Sequence, residues 1–255
     1  MIHDKIFSRP AHETAAVKNW LSMPNMLWGT AWFVLLALAT RTWGQVSSLA
    51  VTEKGENSQW PVVYQTDFRH HHEDWKFLDD GWEFRSAENQ NWLSLHRKPS
   101  DYSPPFRSPL HIALLDHKQV SNFQLDVRAL STHEDYPHRD VVIVFGYQSP
   151  SQFYYVHLGK LGDEHCNQIF IVNKSDRRKI SLTTSQGTDW DDQWHTVRIE
   201  RNTDSGQIDV YFDNLQAPVM TAKDKTFLNG QIGLGSFDDT ADFSSVTLRG
   251  ESVDE

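Results

Sequence analysis

The chain is poor in cysteine: its 255 residues contain only Cys166. A single thiol forms no disulfide within the chain, so packing rather than covalent cross-linking must stabilise the fold. Two interpretations of Cys166 stay open, a reactive nucleophile and a small side chain near the start of a strand. Paired cysteines at zinc-binding spacing, a Walker loop, a dinucleotide-binding glycine pattern and a Gly-x-Ser-x-Gly elbow are also missing. The functions that depend on these motifs are therefore not indicated.

The sequence also lacks an apolar run long enough to cross a membrane comfortably. Its longest uncharged apolar stretch, Met26–Thr40, has 15 residues, whereas a spanning helix needs about 20. Basic residues before this stretch and small residues after it are typical of a signal peptide, with cleavage near Gly44 or Ala50. We expect a signal peptide over residues 1–44, a short linker over 45–60, one domain over 61–250 and a tail over 251–255.

An uncleaved single-helix anchor is the alternative interpretation of the same segment. Both interpretations export the domain, so the expected location is secreted or periplasmic, with the domain anchored if the segment is not cleaved. The domain itself is not expected to insert into a membrane. The oligomeric state is not indicated by the sequence.

Basic residues are outnumbered by acidic ones, so a polyanion partner would need a local basic patch. Without residues 1–44 the chain carries 20 Lys and Arg against 32 Asp and Glu, a formal charge of −12. The longest basic run in this part is Arg177–Lys179. Because such a field repels phosphate backbones at long range, we expect no nucleic-acid partner.

Helical periodicity is absent after Val62. Short runs of alternating, β-branched or aromatic residues are instead separated by Gly, Pro, Asn, Asp and Ser, which favours antiparallel sheets in a sandwich. Strands are predicted at Val62–Phe68, Trp82–Ser86, Trp92–His96, Leu110–Leu115, Ser121–Leu130, Val141–Gln148, Phe153–Leu158, Gln168–Val172, Lys179–Leu182, His195–Arg201, Gln207–Phe212, Val219–Thr221, Gln231–Ser236 and Phe243–Arg249.

Turns and loops between these segments are also recognisable. Thr203–Gly206 joins two strong strands and predicts a hairpin turn, and Asn229–Gly230 is a second turn signal. Lys98–Pro109 contains four prolines. Since proline cannot join a central ladder, this segment predicts an ordered loop over a sheet edge.

Several segments follow one another in a distinctive order. A strand opens with Trp-His, a hairpin leads to a strand that ends in an Asp-bearing turn, and a glycine-rich strand follows. The segments are Trp194–Arg201, Gly206–Asn214, Gly230–Phe237 and Phe243–Val246, with Thr66–Phe68 and Trp82–Phe84 near the start of the domain.

This pattern resembles the laminin-G-like and family 16 glycoside-hydrolase-like domains of the concanavalin A-like lectin/glucanase superfamily, from about Val62 to Gly250. The resemblance implies an all-β fold: a two-sheet antiparallel jelly-roll sandwich that carries its ligand on a concave sheet. Lectins, hydrolases, lyases and adhesion modules share this fold. The Glu-x-Asp-x-x-Glu signature of family 16 is absent, so the retaining glucanase mechanism does not carry over.

The strand Phe153–Leu158 is the main candidate for a ligand-binding surface. On a strand, Tyr154, Val156 and Leu158 share the more apolar face, so Tyr155 and His157 point away from the core. Tyr155 could then stack on a sugar, and His157 could donate to a hydroxyl or act as a general base.

Three further residues extend this candidate site. His165, Asn167 and Arg178 follow within one connection and its strands. Together with Tyr155 and His157 they could bind a uronic acid, with Arg178 or Asn167 on the carboxylate and a His or Tyr removing the neighbouring proton. This would be polysaccharide lyase chemistry. The alternative is that Tyr155 and His157 simply cover a sheet and satisfy each other.

A structural calcium site is permitted by the resemblance. Asp238 and Asp242, beside Asp67 if the first and last strands pair, supply the oxygen ligands that calcium prefers, with Asp239 close by. Turn-forming aspartates that bond to their own backbone are the alternative. The segment His70–Glu73 is expected to be an exposed polar loop, because its side chains lack the spacing of a helical zinc motif.

Three functional interpretations follow. The leading one is an exported domain that binds or processes a poly- or oligosaccharide on its concave sheet. The second is a lyase or hydrolase that uses His157 or His165 with Tyr155 and Arg178. The third is a laminin-G-like adhesion module that binds protein through its loops. Trp92, with Trp75 and Trp190, is a candidate for a rim that stacks on sugar.

Overall fold

Antiparallel strands make up nearly all the regular structure of the computed structural model, which describes residues 60–253. The predicted signal peptide and almost all of the linker lie outside the described residues. A 3₁₀ turn at His72–Asp74 is the one helical element between residues 60 and 253. The strands are β1 Val62–Thr66, β2 Trp75–Phe77, β3 Trp82–Ala87, β4 Gln90–Leu95, β5 His111–Leu115, β6 Val120–Ser131, β7 Asp140–Ser149, β8 Gln152–Gly159, β9 Gln168–Asn173, β10 Arg178–Lys179, β11 Ser181–Thr184, β12 His195–Arg201, β13 Gln207–Phe212, β14 Met220–Lys223, β15 Gln231–Ser236 and β16 Ala241–Ser252.

The strands form two sheets that pack as a sandwich. The larger sheet has nine strands in the order β11-β14-β13-β12-β6-β16-β4-β3, with β1 also paired to β16. The smaller sheet has seven strands in the order β10-β9-β8-β7-β15-β5-β2. All pairs are antiparallel, and the prediction of a two-sheet jelly-roll sandwich is confirmed. No helix within residues 60–253 is long and apolar enough to cross a membrane.

Alternation along the strands determines what lies between the sheets. In β6 the apolar residues from Phe123 to Ala129 are buried in the core, and Asp126 and Arg128 point to the other face. The same period of two buries Val197 and Ile199 of β12, which pairs with β6. The core is therefore built from one face of every long strand.

The outer face of the smaller sheet carries a second apolar cluster. Its members are buried although they face away from the core: Ile112, Leu114, Val142, Val144, Tyr147, Phe153, Tyr155, Phe170 and Val172.

The proline-rich segment Lys98–Pro109, here called the cover loop, lies across this cluster and packs on it through Phe106. Its ends are tied down by hydrogen bonds from Asp80 N to Asp101 Oδ1 (3.0 Å) and from Arg107 N to Asp176 Oδ1 (3.0 Å).

Both predicted turns are present. The residues between β12 and β13 close a hairpin in which Asn202 N donates to Gln207 O at 2.9 Å. Gly230 bridges to Val120 just before β15. At Gly230 φ is +151°, and a Cβ there would lie 2.4 Å from the backbone carbon of Gly146. Only glycine fits this position without a shift of the backbone.

Two details of the strand prediction differ from the structure. The short strand β2 was not predicted. The predicted strand Lys179–Leu182 is two strands: β10 pairs with β9 in the smaller sheet, and β11 pairs with β14 in the larger one. The chain crosses between the sheets at Ile180, so a single run of strand-forming residues serves both layers.

Candidate functional site

Strand β8 has the two faces that its alternation predicts. Tyr154, Val156 and Leu158 belong to the core between the sheets, whereas Phe153, Tyr155 and His157 lie on the outer face. The outer face is nonetheless covered: the exposed fraction of Tyr155 is 0% and that of His157 is 5%. The alternation along β8 indicated the orientation of these two side chains, but it did not indicate their burial.

The side chain that covers Tyr155 is Arg177. Its Nη1 donates to the Tyr155 hydroxyl at 2.9 Å, and its guanidinium carbon lies 4.6 Å from the centre of the Phe170 ring and 4.4 Å from that of Phe237. Tyr155 also stacks on Phe170, with ring centres 5.1 Å apart. A sugar could stack on Tyr155 only after this cover had moved.

His157 is held by hydrogen bonds at both ring nitrogens. Nδ1 lies 3.0 Å from the carbonyl oxygen of His165, and Nε2 lies 3.0 Å from Asp140 Oδ2. Burial lowers the pKa of His157, but the charge and hydrogen bond of Asp140 outweigh it and raise the pKa to about 10. Since both partners are acceptors, the ring is an imidazolium at neutral pH and has no lone pair with which to act as a base.

A second buried pair lies nearby on the same sheet. His111 Nδ1 is 2.9 Å from Asp79 Oδ1 and its Nε2 is 2.9 Å from the carbonyl oxygen of Lys98. Burial lowers the pKa of His111, but the hydrogen bond and charge of Asp79 outweigh it, so the pKa is raised. Ser236 connects the two pairs: it is the cross-strand partner of His111, and its hydroxyl donates to Asp140 at 2.7 Å.

The other predicted members of this site have separate roles. His165 is exposed and contributes its carbonyl oxygen to His157. Asn167 is fully buried, has φ +54° and donates its amide to Thr184 and Ser185. Arg178 is exposed on β10, and the guanidinium on Tyr155 is that of its neighbour Arg177. The predicted residues thus do not converge in an open groove.

The three predicted calcium ligands are not close enough to share an ion. Asp67 and Asp238 are exposed, and Asp67 Oδ1 accepts a hydrogen bond from Arg69 N at 3.0 Å, which is the turn-forming alternative. Asp242 is partly buried, and burial raises its pKa. Between residues 60 and 253 the one compact His/Cys/Asp/Glu group of ligand size is His71, Glu73 and Asp74. The residues Asp67, Asp238 and Asp242 therefore do not fit calcium as a set.

Asp239, which adjoins that set, is a buried carboxylate. It accepts hydrogen bonds from the Tyr136 hydroxyl at 2.9 Å and from Asp140 N at 3.1 Å. Burial and the nearby charge of Asp140 raise its pKa. This arrangement uses both of its oxygens inside the protein.

An open cleft lies elsewhere, on the larger sheet. On one side β16 pairs with β4 through Ala241–Phe243 and then with β1 from Val246 to Arg249. Ser244 and Ser245, at a bulge, fall between these partners. The resulting β16 cleft has a volume of about 410 Å³ and is lined by Asp67, Asn89, Gln90, Asn91, Arg128, Ser244 and Ser245.

The side chains of the β16 cleft have free hydrogen-bonding capacity. Among these seven side chains, that of Asp67 is the only one that makes a hydrogen bond or an ion pair with another residue between 60 and 253. The amides, hydroxyls and guanidinium of the other six make none with described residues. Such a set of donors and acceptors, converging on an open volume, is suited to a polyhydroxylated ligand.

Trp92 lies next to this cleft along β4. It is partly exposed on the outer face of the larger sheet, and its cross-strand partner is Arg85. Its indole Nε1 is enclosed and has no hydrogen-bond partner among the described residues. Trp92 therefore stays a candidate for the rim of a binding surface, whereas Trp75 and Trp190 are buried in the core.

Sequence reasoning missed the cleft, although one signal was available. The hairpin between β3 and β4 turns through Glu88 and Asn89, both with positive φ, and is rich in amides. Asparagine suits such a turn, so the residues alone suggest a structural role. Their function as a cleft wall depends on the change of partner along β16, which no local pattern shows.

Comparisons with known proteins agree with the fold. Neither the scan of protein-family models nor the search of curated proteins found a match. The structure is similar to the carbohydrate-binding module CBM66 from Bacillus subtilis, with 16% identity and a TM-score of 0.51, over 69% of this chain and 96% of that one. It is also similar to a Bacillus subtilis protein of unknown function with a galectin-like fold, with 10% identity and a TM-score of 0.51, over 76% and 97%. At these identities the similarity concerns the fold, which is the concanavalin A-like jelly roll.

Proposed function

We propose that this chain is an exported saccharide-binding domain that holds its ligand in the β16 cleft. The observation that carries the proposal is the group of six polar side chains that have no side-chain partner among residues 60–253 and surround an open volume of about 410 Å³. Pockets of this size are typical of small-molecule sites. Export rests on the signal-peptide pattern of residues 1–44. The fold supports the proposal in a general way, since a carbohydrate-binding module shares it.

Binding without bond cleavage is the form of the proposal that the geometry favours. The groups that could act as acid and base on the smaller sheet are committed to buried pairs, His157 with Asp140 and His111 with Asp79. A general acid or base has to reach its substrate. The covered outer face of the smaller sheet also supports a second candidate, an adhesion module that binds protein through its loops.

A glycan array followed by calorimetry on the exported protein tests the proposal. We expect the double variant Asn91→Ala, Ser245→Ala to bind its best saccharide about tenfold more weakly, because each lost neutral hydrogen bond contributes about 0.5–1.5 kcal/mol. Asn173→Ala is the matched control, since Asn173 is an exposed asparagine at the end of β9.

The alternatives give different results. Unchanged affinity in the double variant, with loss of binding in Tyr155→Phe, would place the ligand at Tyr155, beneath Arg177, instead. New reducing ends or unsaturated products would favour the lyase or hydrolase. An array without any bound saccharide would contradict the proposal and favour the adhesion module.

A further inference from the structure

Arg128 differs from the other arginines on the outer face of the larger sheet. Arg198 Nε lies 2.5 Å from Asp126 Oδ1, Arg249 Nη1 lies 3.2 Å from Asp126 Oδ2, and Arg85 pairs with Glu83. Arg128, in the middle of the same face, makes no ion pair or side-chain hydrogen bond with residues 60–253. Its positive charge is therefore uncompensated by the described side chains around it.

The carboxylate within the cleft does not neutralise Arg128. Asp67 accepts the hydrogen bond from Arg69 N, and its second oxygen lies 3.8 Å from Arg69 Nη2. Arg128 instead has Ser245 as its cross-strand partner on β16 and Thr196 on β12. A free guanidinium beside hydroxyls and amides offers two parallel N–H donors to a planar anion, which is the geometry that a carboxylate fits best.

The polar surface continues across the β3–β4 hairpin. A second open cavity of about 520 Å³ lies beside the same turn and shares Asn89, Gln90 and Asn91 with the β16 cleft. Its lining adds Arg69, Ser86, Ala87 and Glu88. The two cavities therefore form one polar surface joined by three amides, with Arg128 in one half and, in the other, Arg69, which is paired with Asp67, beside Glu88.

We infer that this surface binds an oligosaccharide that carries carboxylated sugar units, with a carboxylate on Arg128 and the chain running across the hairpin amides. The inference rests on the proposed function and specifies its ligand class. It explains why Arg128 lies in an open cleft without an ion-pair partner among residues 60–253, although residues 45–255 carry a formal charge of −12: the ligand supplies the missing negative charge.

The test compares each acidic oligosaccharide with its own neutral form. Oligomers of galacturonic, mannuronic and glucuronic acid, and their methyl esters, are titrated into the exported protein by calorimetry. We expect at least one acid to bind tenfold or more tightly than its ester, since charge-assisted hydrogen bonds are stronger than neutral ones. The preference should weaken as salt is raised.

Variants assign the effect to Arg128. Arg128→Gln should abolish the difference in affinity between each acid and its ester, and Arg128→Lys should keep part of the preference. Arg249→Gln is the matched control, because Arg249 lies on the same face but is already paired with Asp126. Circular dichroism confirms that each variant is folded.

Two failures are distinguishable. If acid and ester bind equally well, or if Arg128→Gln keeps the preference, the inference is overturned and the proposed function stands. If neither these oligomers nor any saccharide of the array binds, the proposed function itself fails.

Discussion

The buried histidines show how a side chain that is typical of active sites becomes structural. Period-two alternation placed His157 on the outer face of β8, and the structure agrees. Its partners, however, are Asp140 and a backbone carbonyl, and the ring of Phe237 stacks on it with centres 5.6 Å apart. The imidazolium of His157, held by two hydrogen-bond acceptors and stacked against the Phe237 ring, therefore stabilises the packing of loops on the sheet.

The pH dependence of stability should reveal this pair. The pKa of His157 is raised to about 10 in the folded chain, against about 6.5 when unfolded. Its stabilisation is therefore complete below about pH 6.5 and is lost as the pH rises through 10. Urea titrations should show the free energy of unfolding falling between pH 7 and pH 10, with a contribution in the same direction from His111, whose pKa is also raised.

A variant isolates the part that belongs to His157. His157→Gln leaves Asp140 buried without its cation, so the free energy of unfolding should fall by about 3 kcal/mol at pH 7, and the dependence on alkaline pH should flatten. His117→Gln is the control, because the side chain of His117 is 93% exposed. An unchanged slope in His157→Gln would show that the pair does not titrate as the structure implies.

At the scale of elements, the sequence predicted strands better than it predicted their partners. Alternation and turn residues located all the longer strands, since each of these features is local. The division at Ile180 and the change of partner along β16 depend on which strand lies alongside, and identical alternation suits either neighbour. The burial of Tyr155 and the position of the β16 cleft were not predicted for the same reason, because the packing of Arg177 on Tyr155 and the change of partner along β16 are not local features.

Two adjacent arginines, Arg177 just before β10 and Arg178 at its start, test which side chain covers the outer face of the smaller sheet. Arg177→Ala removes the hydrogen bond to Tyr155 and the contacts with Phe170 and Phe237. The free energy of unfolding should fall by about 2 kcal/mol, with a weakened near-ultraviolet dichroism of the tyrosines. Arg178→Ala should lower the free energy of unfolding by less than about 0.5 kcal/mol, because Arg178 is exposed.

The reverse order of the two effects would mean that Arg178, rather than Arg177, is the arginine that supports Tyr155. Thermal and urea unfolding of both variants under one set of conditions decides between them.

At the scale of the whole molecule, the two apolar clusters share one sheet. Residues of β7 and β8 alternate between the core and the outer cluster, so Val141 and Tyr154 face inwards while Val142 and Tyr155 face outwards. Loss of either apolar cluster would expose one face of the same strands. We therefore expect the core and the outer cluster to be lost together in one unfolding transition.

The single thiol can report on this cooperativity. Cys166 is fully buried, with Sγ 3.9 Å from Nε2 of His157, which lies on the outer face of the smaller sheet. Native protein should react with a disulfide reagent only through global unfolding, so the free energy from labelling rates and its dependence on urea should equal those from circular dichroism. Arg177→Ala should lower both values equally. Faster labelling of the native protein, with little dependence on urea, would show instead that the segments on the outer face of the smaller sheet open on their own. The surface around Tyr155 would then become accessible without unfolding of the sandwich.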